Sequence, residues 1–247
     1  MTAVTLPLPG RWAKVVVPGS LLAWLGFMAY LVVVKLALDL FLPAAFSDPG
    51  QAEAFGWIPV GVVAVLGAVG ALLSTRTGFP DALSPRISRW QRVYLPALIG
   101  LGFAIVLVTF DLVSGYSRLA AAHFGVEQQY SDPLSMLLIF TAAPAYVEAV
   151  YRLFPIPLML LLISNLALRG RWQVPIFWVL AALTSLIEPL SQTTWALAVS
   201  APIFAVVFAH GFALNFAQAA LFRRYGFVAS IVLRLGFYLV WHVAYVH

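Results

Sequence analysis

The sequence contains no cysteine. Disulfides, thiolate nucleophiles and Cys-ligated zinc are excluded together, and any metal would need His, Asp or Glu as ligands. Charge is scarce as well: 9% of the 247 residues are Asp, Glu, Lys or Arg, where a soluble domain carries about a quarter. No soluble core hides the 63% that are hydrophobic. The formal net charge of +5 does not point to nucleic acid, because the basic residues fall in short clusters between apolar runs and form no single face. Linkers, tandem repeats and a second domain are missing too, so residues 1–247 read as one integral membrane domain. The first apolar run, behind Arg11 and Lys14, extends beyond a signal-peptide h-region and ends without a small-residue cleavage pattern, which makes it a retained anchor.

What is present is a series of apolar runs. About 20 helical residues cross the hydrocarbon core, and on that measure crossings lie near 15–42, 57–74, 93–114, 134–168, 174–190, 196–222 and 226–246. The expected fold is an all-α, polytopic transmembrane bundle of seven to eight helices. The fourth run is too long for one straight helix and holds Pro144, Pro155 and Pro157, each of which removes a backbone donor, so a break is expected near 153–157. A kinked single crossing or a re-entrant hairpin suits the charge pattern best. Arg11 and Lys14, then Arg76, Arg86, Arg89 and Arg92, then Arg169 and Arg171, then Arg223 and Arg224 fall on alternate loops. These loops are expected to be cytoplasmic with the N-terminus inside, in a prokaryotic inner membrane. The opposite loops hold Asp48, Glu53, Glu127 and Asp132 against Arg118. Gly61, Gly67, Gly70 and Ala71 read as a close-packing face of the second crossing. Phe204, Phe208, Phe212 and Phe216 form a stripe on the sixth that reads as packing and not as a cofactor box.

Ionisable groups inside a crossing cost about 2.5 to 3.5 kcal/mol each on insertion scales and mark function by default. Here they are Lys35, Asp39, Asp111, Glu148, Arg152, Glu188, His210, Arg234 and His242. With neutral histidines the cations and anions nearly balance, as mutual pairing would give. Lys35 and Asp39 share a helix face, and so do Glu148 and Arg152, with the acid N-terminal to the base in the favourable order. Arg234, Tyr238 and His242 follow at four-residue spacing and form a second stripe.

The segment Ala145-Tyr-Val-Glu148-Ala-Val-Tyr-Arg152 resembles the Glu-Glu-x-x-x-Arg motif of the CPBP family, the CAAX-protease and bacteriocin-processing intramembrane metalloproteases. The likeness continues through Arg169-Gly-Arg-Trp-Gln-Val-Pro to Ala181-Ala-Leu-Thr-Ser-Leu-Ile-Glu188, and through Leu221-Phe-Arg-Arg-Tyr-Gly226 to the last crossing, over roughly 134–247. In that family the leading Glu activates water and two His motifs help to build a metal-dependent peptidase site. Here the leading position is Val147, the second motif reads Thr184-x-x-x-Glu188, and the third reads Arg234-x-x-x-Tyr238, so both motif histidines are replaced. A rival register uses His210 and His242. A guanidinium does not deprotonate in proteins, and Arg234 opposes a divalent cation.

The resemblance therefore implies a degenerate peptidase site, a polar cluster of Glu148, Arg152, Glu188, Arg234, Tyr238 and His242, and no cofactor. The protein would act as an accessory, assembly or binding subunit whose partners are the bilayer and other membrane proteins. One alternative is an active metallopeptidase with zinc on Glu148, Glu188, His210 and His242. Another is a transporter or small-ligand binding protein, for which no inverted repeat is seen.

Overall fold

A computed structural model of the chain describes residues 18–42, 45, 49–125 and 133–245; Arg11, Lys14, Asp48, Glu127 and Asp132 lie outside them. Among the described residues the regular structure is helical, with no strand. Seven of these helices are long and apolar enough to cross a membrane: α1 (Gly19–Phe41), α2 (Trp57–Arg76), α3 (Trp90–Ser114), α4 (Pro133–Ala167), α5 (Gln173–Thr193), α6 (Ala201–Tyr225) and α7 (Phe227–Tyr245). Two boundaries depart from the sequence reading. The run expected to start at 196 is split at the extended Ser200, which follows a short helix Ala196–Val199 and caps the first turn of α6 by accepting from Ile203 N. Helix α5 continues past the expected 190 to Thr193, passing through Pro189.

Helix α4 is one continuous span of 35 residues, about 50 Å if straight against a hydrocarbon core of about 30 Å. Its irregularity is local. Residues Ala149–Leu153 and Leu160–Ala167 are π-helical, and Phe154 between them is a single turn residue whose N–H reaches Ala149 O at 3.2 Å. Pro157 has no N–H to offer the Leu153 carbonyl four residues back. Gly70 of α2 packs there instead: a Cβ on it would lie 2.2 Å from Leu153 O.

In lipid, helices gain little by burying apolar surface against one another, so close packing and polar contacts carry the assembly. Gly67 of α2 lies flat on Trp24 of α1, leaving 2.0 Å for a Cβ, and the Trp24 indole donates to Ala64 O at 3.0 Å. Gly61 does not belong to this face; a Cβ there meets open space. Helices α3 and α7 make another close crossing, with Gly100 against Leu233 O and Gly236 against Ala97 O. One apolar cluster includes Trp24, Leu31, Leu153 and Phe227, and a second includes Phe140, Leu214, Leu233 and Trp241. Helices α4, α6 and α7 contribute to both, and they carry most of the buried polar groups.

The arginine-bearing turns meet at one end of the bundle. Gln173 donates to Thr77 O at 2.7 Å, Arg223 to Gly78 O at 3.5 Å, and the Asp81 carboxylate accepts from Ser20 N at 3.0 Å. Arg223 also lies over the rings of Phe79 and Phe177. At the other end, Asp111 at the close of α3 meets Tyr245 at the close of α7.

Candidate functional site

Four charged side chains lie inside the bundle with almost no exposed surface: Glu148 at 0%, Arg152 at 1%, Arg234 at 2% and Glu188 at 3%. Each stands at least five residues inside its span, or about 7 Å along a helix, where water does not pay for solvation. Mutual pairing replaces it.

On α4, Arg152 Nε donates to Glu148 Oε2 at 2.8 Å, the i,i+4 pair that the spacing allows. Arg234 of α7 forms the other pair with Glu188 of α5 through both nitrogens, Nη1 to Oε1 at 2.5 Å and Nη2 to Oε2 at 2.6 Å. This fork geometry matches a carboxylate and is the strong form of an ion pair. Two neutral amides then tie the pairs together. Asn215 Oδ1 accepts from Arg152 Nη1 and from Arg234 Nη2, each at 2.8 Å, while its Nδ2 donates to Gly211 O. Gln218 Oε1 accepts from Arg234 Nε at 3.0 Å, and its Nε2 donates to Ser230 O. Ser230 closes the circuit by donating its hydroxyl to Glu148 Oε2 at 2.5 Å.

Neither amide has a choice of orientation, since guanidinium groups donate and never accept. The circuit is electrically neutral, with two carboxylates and two guanidiniums, and joins α4, α5, α6 and α7.

The two arginines are not equally served. All five N–H groups of Arg234 have an acceptor once Nη1 to Tyr238 Oη at 3.4 Å is included, and its guanidinium also lies over the Tyr238 ring. Arg152 Nη2, by contrast, is buried without a partner, as are Glu148 Oε1 and Ser185 Oγ.

Tyr238 thus belongs to the circuit's edge, but His242 reaches it only through rings. The imidazole stacks on Phe140 at 3.9 Å and stands edge-on to Tyr238 at 4.9 Å. His210 lies elsewhere: its Nε2 is 2.9 Å from Phe103 O, an oxygen that only accepts, so this nitrogen carries the proton. It forms part of the wall of an apolar groove of about 810 Å³ between α3 and α6, which none of the circuit residues lines. The ligand set of Glu148, Glu188, His210 and His242 is therefore not assembled. Among the described residues no group of three or more His, Asp or Glu stands close enough to hold a metal ion.

Three further charged positions have local explanations. Lys35 and Asp39 pair on α1, with Lys35 also over the Trp57 ring. Asp111, 4% exposed, accepts from Ser117 N at 2.6 Å, Ser117 Oγ at 2.7 Å and Tyr245 Oη at 2.8 Å. Sequence reasoning missed Asn215, Gln218 and Ser230. Their only signal was three uncharged polar residues within otherwise apolar runs, Asn215 and Gln218 one turn apart on α6. In comparisons with known proteins, the chain matches no family model, no curated protein and no solved structure.

Proposed function

We propose that the chain is a non-catalytic membrane subunit with a CPBP-like helical arrangement, in which paired charges stand where a peptidase centre would be. One observation carries the reading. At the positions that the resemblance aligns with the two His motifs stand Glu188 and Arg234, and the guanidinium takes both oxygens of the carboxylate. A hydrolytic zinc centre needs about three ligands, an open position for water and a nearby base. Here the carboxylate at the one matching acid, Glu148, is held by Arg152 and Ser230, and a permanent cation lies beside each acid.

Such a core fixes the relation of α4, α5, α6 and α7 and leaves the outer faces of the bundle free for contact. Those faces are rich in exposed apolar residues, such as Val65, Val106, Val113 and Val179, and suit lipid and the helices of other membrane proteins. The protein then serves as an accessory, assembly or binding subunit of a prokaryotic inner membrane, with the arginine-bearing end and the N-terminus on the cytoplasmic side.

Elemental analysis of the detergent-purified protein after incubation with zinc tests this reading. Well under one zinc per chain is expected. About one zinc per chain, lost on Glu188→Gln or Glu148→Gln, would replace the proposal with an intramembrane metallopeptidase.

A further inference from the structure

The end of the bundle where the arginine-bearing turns meet carries charge that the fold itself does not consume. Arg76, Arg86, Arg89, Arg169, Arg171 and Arg224 are all exposed there. Among the described residues, Asp81 is the one acid on these turns, and its carboxylate is already engaged by the backbone N–H groups of Ser20 and Leu83. The ion pairs among the described residues involve none of the six arginines.

Three features say what chemistry would satisfy them. The first is depth. Arg76 ends α2, Arg86 and Arg89 lie four residues and one residue before α3, Arg169 and Arg171 fall on the turn between α4 and α5, and Arg224 is the penultimate residue of α6. All six therefore lie at the boundary of the apolar spans, the level of lipid phosphates. The second is residue type: every basic residue on these turns is arginine, whose planar fork binds phosphate oxygens two at a time, whereas lysine offers a point charge. The third is the company they keep. Trp90, Tyr94 and Trp172 are 55%, 56% and 69% exposed at the same end, and such rings settle at headgroup level. Contacts from Gln173 to Thr77 and from Arg223 to Gly78 hold the turns together, so their guanidiniums form one surface.

We propose that this end binds the phosphate groups of anionic phospholipids in the leaflet it faces, as basic surfaces between transmembrane helices do. The inference does not depend on the reading of the buried circuit, which the lipid does not touch.

The test uses the full chain reconstituted in nanodiscs of phosphatidylcholine, with and without about one third phosphatidylglycerol, read by thermal unfolding. Native mass spectrometry of the detergent-purified protein counts retained lipids. At low salt the anionic lipid should raise the unfolding midpoint by several degrees, and 0.5 M salt should remove much of that rise. Arg86→Gln with Arg89→Gln, and Arg169→Gln with Arg171→Gln, should each lose part of the shift and of the retained phosphatidylglycerol. Arg118→Gln, exposed near the opposite end, should lose neither. Equal midpoints and equal retention for the two lipids in the wild-type chain would overturn the proposal even if a variant failed to fold, and so would variants that keep the full preference. The same rise produced by inorganic phosphate alone would assign the surface to a soluble anion and overturn the lipid assignment.

Discussion

The buried circuit and the cluster around Asp111 solve the same problem by different means. In the circuit two carboxylates are met by two guanidiniums, because no neutral group at that depth offsets the cost of a full charge. Asp111, at the end of α3, is held by two hydroxyls and one backbone N–H, with no cation among its hydrogen-bond partners. Partner chemistry thus follows depth. A charge far from water must be neutralised by its opposite, and a charge at the boundary needs only to be hydrogen-bonded.

The largest expected effect comes from unbalancing the circuit. Glu188→Gln or Arg234→Gln alone should destabilise by about 3 to 5 kcal/mol, since each leaves an unpaired charge in a water-poor setting. The double variant should lose less than the sum, measured by thermal unfolding in detergent. Glu148→Gln and Arg152→Gln should follow the same pattern with smaller losses, because this pair is joined at one point and already carries an unpartnered oxygen and nitrogen. Strictly additive losses for Glu188 and Arg234 would mean that the two side chains are uncoupled.

Part of this arrangement was legible in the sequence. The spans follow from run length alone, and the irregular fourth crossing from its prolines, where the structure sets one turn residue and a short α-helical stretch, Pro155–Met159, between two π-helical ones. Glu148 and Arg152 were readable as partners because helical spacing brings them together without any tertiary information. Glu188 and Arg234 are 46 residues apart, and charge balance says that such residues need partners but not which ones.

Asn215, Gln218 and Ser230 were not legible, because an uncharged polar residue in an apolar helix is an ordinary event. It becomes a circuit member only when a guanidinium arrives from another helix. His210 shows the converse: its residue type invites a metal, while its helix face turns it to the Phe103 carbonyl. Gly61 and Gly70 look alike in sequence, and only Gly70 meets a neighbouring backbone.

A smaller effect is expected at the boundary. Asp111→Asn keeps one acceptor for Ser117 N and gains an amide donor, and the hydroxyls of Ser117 and Tyr245 accept as well as donate. The loss should be about 1 kcal/mol, the net worth of an ordinary hydrogen bond. A loss equal to that of Glu188→Gln would show that Asp111 is as dry as the circuit and would remove the contrast of depth.

The smallest effect concerns Tyr116, which lies between the spans and stacks on Trp195 at 5.5 Å and on Trp241 at 6.5 Å. Burial, and secondarily the negative charge of Asp111, push its phenol from the usual 10.0 up to about 12. The folded state therefore holds the proton more tightly than the unfolded chain does. Its contribution is complete below pH about 10, the unfolded value, and is lost as pH rises through about 12. Thermal unfolding between pH 9 and pH 12 should consequently show a fall in midpoint that Tyr116→Phe reduces, since phenylalanine keeps the stack and removes the titration. Asp111→Asn should reduce it less, because the carboxylate is the secondary cause. If Tyr116→Phe and the wild-type chain fall with the same slope, the Tyr116 phenol is open to water at the bundle end, and the aromatic stack does not seal the boundary above Asp111.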